Sequence, residues 1–88
     1  MEIESESTDD PDIIRLITNL TLSVEGIEIY PTPEEGEVGS PVAQAIFEVP
    51  GIAALQIESR DLLITRMDHI EWHDLIEDIT AALRDFFL

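Results

Sequence analysis

His69 and His73 stand four residues apart, amid Asp68, Glu71 and Asp74. Imidazoles and carboxylates ligate zinc and other divalent metals, and a spacing of four brings two side chains together when both lie on one helix. A metal site also needs ligands that converge, which composition does not supply, so the expectation is a solvated, acid-rich helix start with no metal and no cofactor. The twenty Asp and Glu residues could include an acid–base pair of the kind that hydrolyses glycosides. Against this, the chain shows no Ser–His–Asp order and no glycine-rich phosphate loop, and it has little room for a pocket; an enzyme is not expected. Arg15 and Arg66 carry more interest, because the sequence has only four basic residues and no lysine. They are the candidate partner-binding residues, able to hold an anion or carboxylate of a partner. The plainer expectation is that each pairs with neighbouring acids across a sheet, worth roughly 0–1 kcal/mol per pair.

Composition narrows the function further. Hydrophobic residues make up 44% of the 88, which is ordinary for a folded domain, so the acids do not imply disorder. A chain this short buries only about 60% of the surface it exposes when unfolded, so its core is small and single. With no cysteine there is neither a disulfide nor a thiolate to hold zinc or an iron–sulfur cluster. A net charge of −16 repels nucleic acid and anionic membranes, and no apolar run approaches a membrane span. The opening "MEIESESTDD" has neither the basic nor the apolar region of a signal peptide, and a cytoplasmic monomer is expected. So many acids without a single lysine read as the habit of a salt-loving cell.

These residues must be held by elements that the pattern locates. Residues 1–12 contain six acids and read as an extended, partly frayed arm belonging to the domain, with residues 13–88 as its body. From Ile13 the residues Ile14, Leu16, Leu20, Leu22 and Val24 share one parity, which predicts a half-buried strand; Gly26 allows a turn and "IEIY" returns as its hairpin partner. Arg15 then lies on the parity opposite the core, and Arg66 ends a strand, so both are expected on the open side of the sheet. "PTPEEGEVG" reads as a surface loop. Ser40 and Pro41 open a helix over residues 41–49 that shows Val42, Ala45, Ile46 and Val49 on one face, ended by Pro50 and Gly51. "IAALQIE" and "LLITRM" form a hairpin around "SRD". Trp72, Leu75, Ile76, Ile79, Leu83 and Phe86 make one stripe of a closing helix, leaving Phe87 and Leu88 as a small exposed tail. The expected fold is α+β, a small two-layer sandwich: a mostly antiparallel or mixed four-stranded sheet with two helices on one face, in the order β-β-α-β-β-α. A right-handed crossover is expected if the second and third strands run parallel.

The residues so placed resemble the N-terminal domain of the Nfu/NifU-like iron–sulfur scaffold proteins. Met1, Ile3, Glu6, Thr8 and Pro11 match the family opening M-x-I-x-T-E-x-T-P-N-P in register, with Arg15 at its basic position. Ser40, Pro41, Ala43, Phe47 and Gly51 are similar to S-P-L-A-x-x-L-F-x-I-x-G-V; "LLIT" with Arg66 and the W-x-x-L of Trp72 and Leu75 complete the set. The resemblance implies a two-layer α/β fold, a closing helix that starts near Trp72 with His69 in the loop before it, and a setting in iron–sulfur cluster biogenesis. It implies no cluster ligation here, since the family's C-x-x-C pair lies in a second domain and the sequence stops at Leu88. The expected function is therefore a non-catalytic accessory or protein-interaction domain whose partner, a cysteine-bearing scaffold or recipient, supplies the ligands. A general peptide-binding module unrelated to clusters is the second reading, and a carboxylate-rich metal store the third.

Overall fold

Among the described residues five strands and three helices follow one another in the order β1 (Ile3–Ser7), β2 (Ile13–Thr18), β3 (Glu28–Tyr30), α1 (Pro33–Glu37), α2 (Pro41–Phe47), β4 (Ile52–Ile57), β5 (Asp61–Arg66) and α3 (Trp72–Phe87). The computed structural model describes residues 2–24 and 26–88; Met1, the first residue of the family resemblance, lies outside them. The strands form one sheet in the order β1-β2-β5-β4-β3, with every neighbouring pair antiparallel. The α+β class and the antiparallel sheet agree with expectation. Four strands and two helices become five and three.

Each difference has a local cause. The acidic arm is an edge strand: Ile3 to Ser7 pair with Thr18 to Ile14, and most of its side chains are exposed, so no apolar period marks it. Its turn is built by Thr8, whose hydroxyl donates to the Ile13 carbonyl at 2.8 Å, and by Asp10, whose carboxylate accepts from the Asp12 N–H at 2.9 Å. The loop "PTPEEGEVG" contains α1, where the Thr32 hydroxyl caps the Glu35 N–H and Pro33 fills a first-turn position that needs no donor. β2 ends at Thr18 and does not pair with β3. The connection between them crosses the end of the sheet, where Leu22 joins the core and its N–H donates to the Ser59 carbonyl at 2.8 Å, while Val24 is 86% exposed. β3 thus reaches the far edge, beside β4 and antiparallel to it, so the conditional parallel crossover is not realised.

The core lies on one face of the sheet only. Ile14, Leu16, Leu55, Ile57, Leu62 and Ile64 alternate inward and meet Val42, Ala43 and Ile46 of α2 and Leu75, Ile79 and Leu83 of α3. Complete burial of each large aliphatic side chain contributes about 1.5–3 kcal/mol, which is the main favourable term in a fold this small. α2 begins as expected, with the Ser40 hydroxyl accepting from Ala43 N–H at 3.3 Å and Pro41 in the first turn. Ala43 rather than Ala45 faces the core. At the end of α3 the aromatic roles are exchanged: Phe87, four residues after Leu83, packs against the core, and Phe86 is 42% exposed. Gly51 turns the chain from α2 into β4 at φ +103°, with Ile70 packed where a Cβ would project.

Candidate functional site

The strand parity that buries one face leaves the other open, and among the described residues no helix covers it. Ile13, Arg15 and Ile17 of β2 stand opposite Thr65, Leu63 and Asp61 of β5; Leu63 in turn faces Gln56 of β4, and Gln56 faces Ile29 of β3. Glu4 and Glu6 of β1 face Ile17 and Arg15. This surface has two halves. Ile13, Ile29, Ala54 and Leu63 line a shallow depression of about 260 Å³, and Ile29 is 65% exposed. The other half is charged: Arg15 Nη1 donates to Asp61 Oδ2 at 2.9 Å and to Glu58 Oε2 at 3.4 Å. Desolvation by partial burial, the largest single effect, disfavours the charged guanidinium, but the hydrogen bond to Asp61 and the charge and hydrogen bond of Glu58 together outweigh it and raise the pKa above the ordinary value. One guanidinium thus stands among Glu6, Asp61 and Glu58, and the half remains net negative.

Arg66 is elsewhere. It shares the parity of Leu62 and Ile64, facing Ile52, so its side chain leaves the sheet on the helix side at its end. There Nε donates to Asp12 Oδ1 at 3.1 Å, Nη1 donates to the Ile70 carbonyl at 2.9 Å, and the guanidinium lies 5.2 Å from the centroid of Trp72. Trp72 Nε1 donates to the Pro11 carbonyl at 2.9 Å, so the corner ties together the β1–β2 turn, β5 and the start of α3. The structure therefore places Arg15 on the open face and does not bring Arg66 to it.

His69 lies in the loop before α3 at φ 66°, away from the helix that carries His73. His73 instead meets Glu77 at 3.5 Å, and with Asp74 these three offer ligand atoms within 4.8 Å of one another. Sequence reasoning looked for a histidine pair and passed over this set, whose i, i+1, i+4 spacing was its only signal. All three are exposed on one helix turn, and among the described residues no second element brings a further ligand to them. A second concavity, about 740 Å³, runs between α2 and α3 past Glu48, Asp78, Asp85 and Phe86. Neither concavity brings together a nucleophile and a base, and among the described residues no buried side-chain nitrogen or oxygen is left without a hydrogen-bond partner.

Residues 3–88 match the family described as scaffold protein Nfu/NifU N terminal. Two curated relatives from Arabidopsis thaliana, NifU-like protein 4, mitochondrial, and NifU-like protein 5, mitochondrial, are 26% and 28% identical over 87 residues. Each alignment covers 99% of this chain, which spans 30% and 31% of the relatives' lengths. In fold the chain is similar to the crystal structure of protein SAV1430 from Staphylococcus aureus, with a TM-score of 0.73, 11% identity and coverage of 94% and 99% of the two chains. A Staphylococcus epidermidis protein solved by solution NMR gives a TM-score of 0.61 at 16% identity, covering 98% and 99%. The expectation of a cytoplasmic protein is corrected by the two curated relatives, both of them mitochondrial. That expectation rested on the lack of a membrane-length apolar run and of signal-peptide features in the opening, whose residues Ile3 to Ser7 are a strand of the sheet. Among the described residues no helix is long and apolar enough to cross a membrane.

Proposed function

The chain belongs to the Nfu/NifU scaffold N-terminal family, and from that premise we propose that it works in iron–sulfur cluster assembly as a non-catalytic protein-contact domain. It docks a cysteine-bearing scaffold or recipient, and the partner supplies the thiolates that this cysteine-free sequence lacks. The observation that carries the reading is the sheet face that no helix among the described residues covers, where Ile13, Ile17, Ala54 and Leu63 are only half-buried and Ile29 is exposed, although Leu16, Leu55, Ile57, Leu62 and Ile64 on the opposite face are buried. Apolar side chains gathered on an open surface lower the free energy of association more than they stabilise the monomer.

The test is affinity capture at native salt, comparing the wild-type chain with a Leu63→Asp variant, which places a charge in the middle of the face without entering the core. Enrichment of cysteine-bearing cluster scaffolds or recipients, lost in the variant, is the expected result. Enrichment of unrelated proteins would move the protein to the general peptide-binding reading, and equal capture by both forms would remove the open face from the account.

A further inference from the structure

We infer that the open sheet face takes an amphipathic segment of the partner that presents apolar side chains to one half of the face and Lys or Arg to the other. The inference rests on the docking role proposed above and adds the chemistry of the occupant. The apolar seat is Ile13, Ile29, Ala54 and Leu63. The acidic rim is Glu6, Glu58 and Asp61 around Arg15. Leu63 and Asp61 are two residues apart on one strand, so the seat and the rim are separated by about 7 Å. An extended segment with an apolar residue at i and a base at i+2 spans that distance, as does a helix with the two at i and i+4.

Charge decides between occupants. A second copy of this chain would bring another net charge of −16 and another acidic rim to the same face, and like charges at close range oppose that contact. A basic segment gains from the rim, both on approach and when seated. Arg15 is already engaged by Asp61 and Glu58, so it moderates the rim and is not itself the group that binds. This gives a sign that a general stickiness does not: removing Arg15 leaves the rim more negative and strengthens the binding of a basic segment, whereas a partner that offered a carboxylate to Arg15 would bind less well.

The probe is a set of three synthetic peptides of about 12 residues, titrated calorimetrically into the full chain at about 0.15 M NaCl. One sets Leu and Lys in turn at every second position with Ser between them, so that each Lys lies two residues from a Leu on the same face of an extended chain; one replaces every Lys by Glu, and one scrambles the first peptide's order. The Leu–Lys peptide is expected to bind, weakened roughly tenfold by the charge-neutral Leu63→Ser or by the neighbouring Thr65→Lys and strengthened roughly threefold by Arg15→Ala. Circular dichroism confirms that each variant is folded. Equal binding of the scrambled peptide, no effect of either face variant, or weaker binding by Arg15→Ala would overturn the inference, as would sedimentation showing a dimer that Leu63→Asp dissociates. If the peptides fail while cluster proteins are still captured, the occupant's chemistry is wrong and the docking role stands. Failure of both removes both.

Discussion

Arg15 and Arg66 sit on adjacent strands with nearly equal side-chain exposure, 29% and 25%, yet they belong to different parts of the molecule's work. Arg66 holds a carboxylate from the β1–β2 turn together with a backbone carbonyl and an indole face from around the start of α3, two segments distant from its own strand. Arg15 holds two carboxylates on the strand beside it and its hairpin, where water competes for every contact. Exposure does not distinguish a residue that closes the fold from one that dresses a surface. The number of distant segments it joins does.

Five variants sharpen or break this comparison. The largest effect is expected in the Arg66 corner at Gly51, where Gly51→Ala would force a side chain into φ +103° with its Cβ 3.1 Å from Ile70; urea unfolding should show a loss of about 2–3 kcal/mol. Arg66→Ala is next, at about 2 kcal/mol, from one charge-assisted bond to a carbonyl, an ion pair and a cation–π contact. Arg66→Lys should recover less than half of that, because an ammonium cannot stack on Trp72 and span Asp12 and Ile70 together. Arg15→Ala should change stability by only about 0–1 kcal/mol, and a larger loss would mean that the open face is structural. The smallest effect concerns Glu28. Partial burial raises its pKa, but hydrogen bonds from Ser40, Tyr30 and Ser23 outweigh this and hold it below the ordinary carboxylate value. A lowered folded-state pKa gives stability that is present above the unfolded value and lost as pH falls through the folded one. Glu28→Gln should therefore flatten the acid limb of the unfolding profile and leave its neutral-pH shape unchanged.

The sequence expectations succeeded where burial imposed a period. The parity of β2 from Ile14 to Thr18, the β4–β5 hairpin and the stripe of α3 were legible because one side of each element faces the core. They failed where backbone bonds or capping act without burial. β1 is held by its ladder to β2 and shows solvent mostly glutamate and serine, so it reads as an arm. α1 had a signal that went unused, the Thr32–Pro33–Glu34–Glu35 capping sequence, hidden among loop-forming residues. The pairing of β3 was illegible for a different reason: Leu20 and Leu22 continue the parity of β2 but serve the end of the core, and no local rule says that the chain then crosses to the far edge. Of the candidate site, Arg15 was legible from parity. Arg66 was misplaced because the last residue of β5 lies on the inward parity, which counting two residues on from Ile64 would have shown.

Charge remains a global term across both regions. With −16 on 88 residues, screening should raise thermal stability steadily between low and molar NaCl, and a flat salt dependence would contradict the salt-loving reading of the composition.

The central claim is that the open face, and not the acidic surface at large, meets the partner. Backbone amide shifts of the isotope-labelled chain during titration with the Leu–Lys peptide test it most directly. Perturbations concentrated at Ile13, Ile29, Ala54 and Leu63 are the predicted result; perturbations centred on the α2–α3 groove around Glu48, Asp78 and Asp85, or spread evenly over the acids, would contradict it.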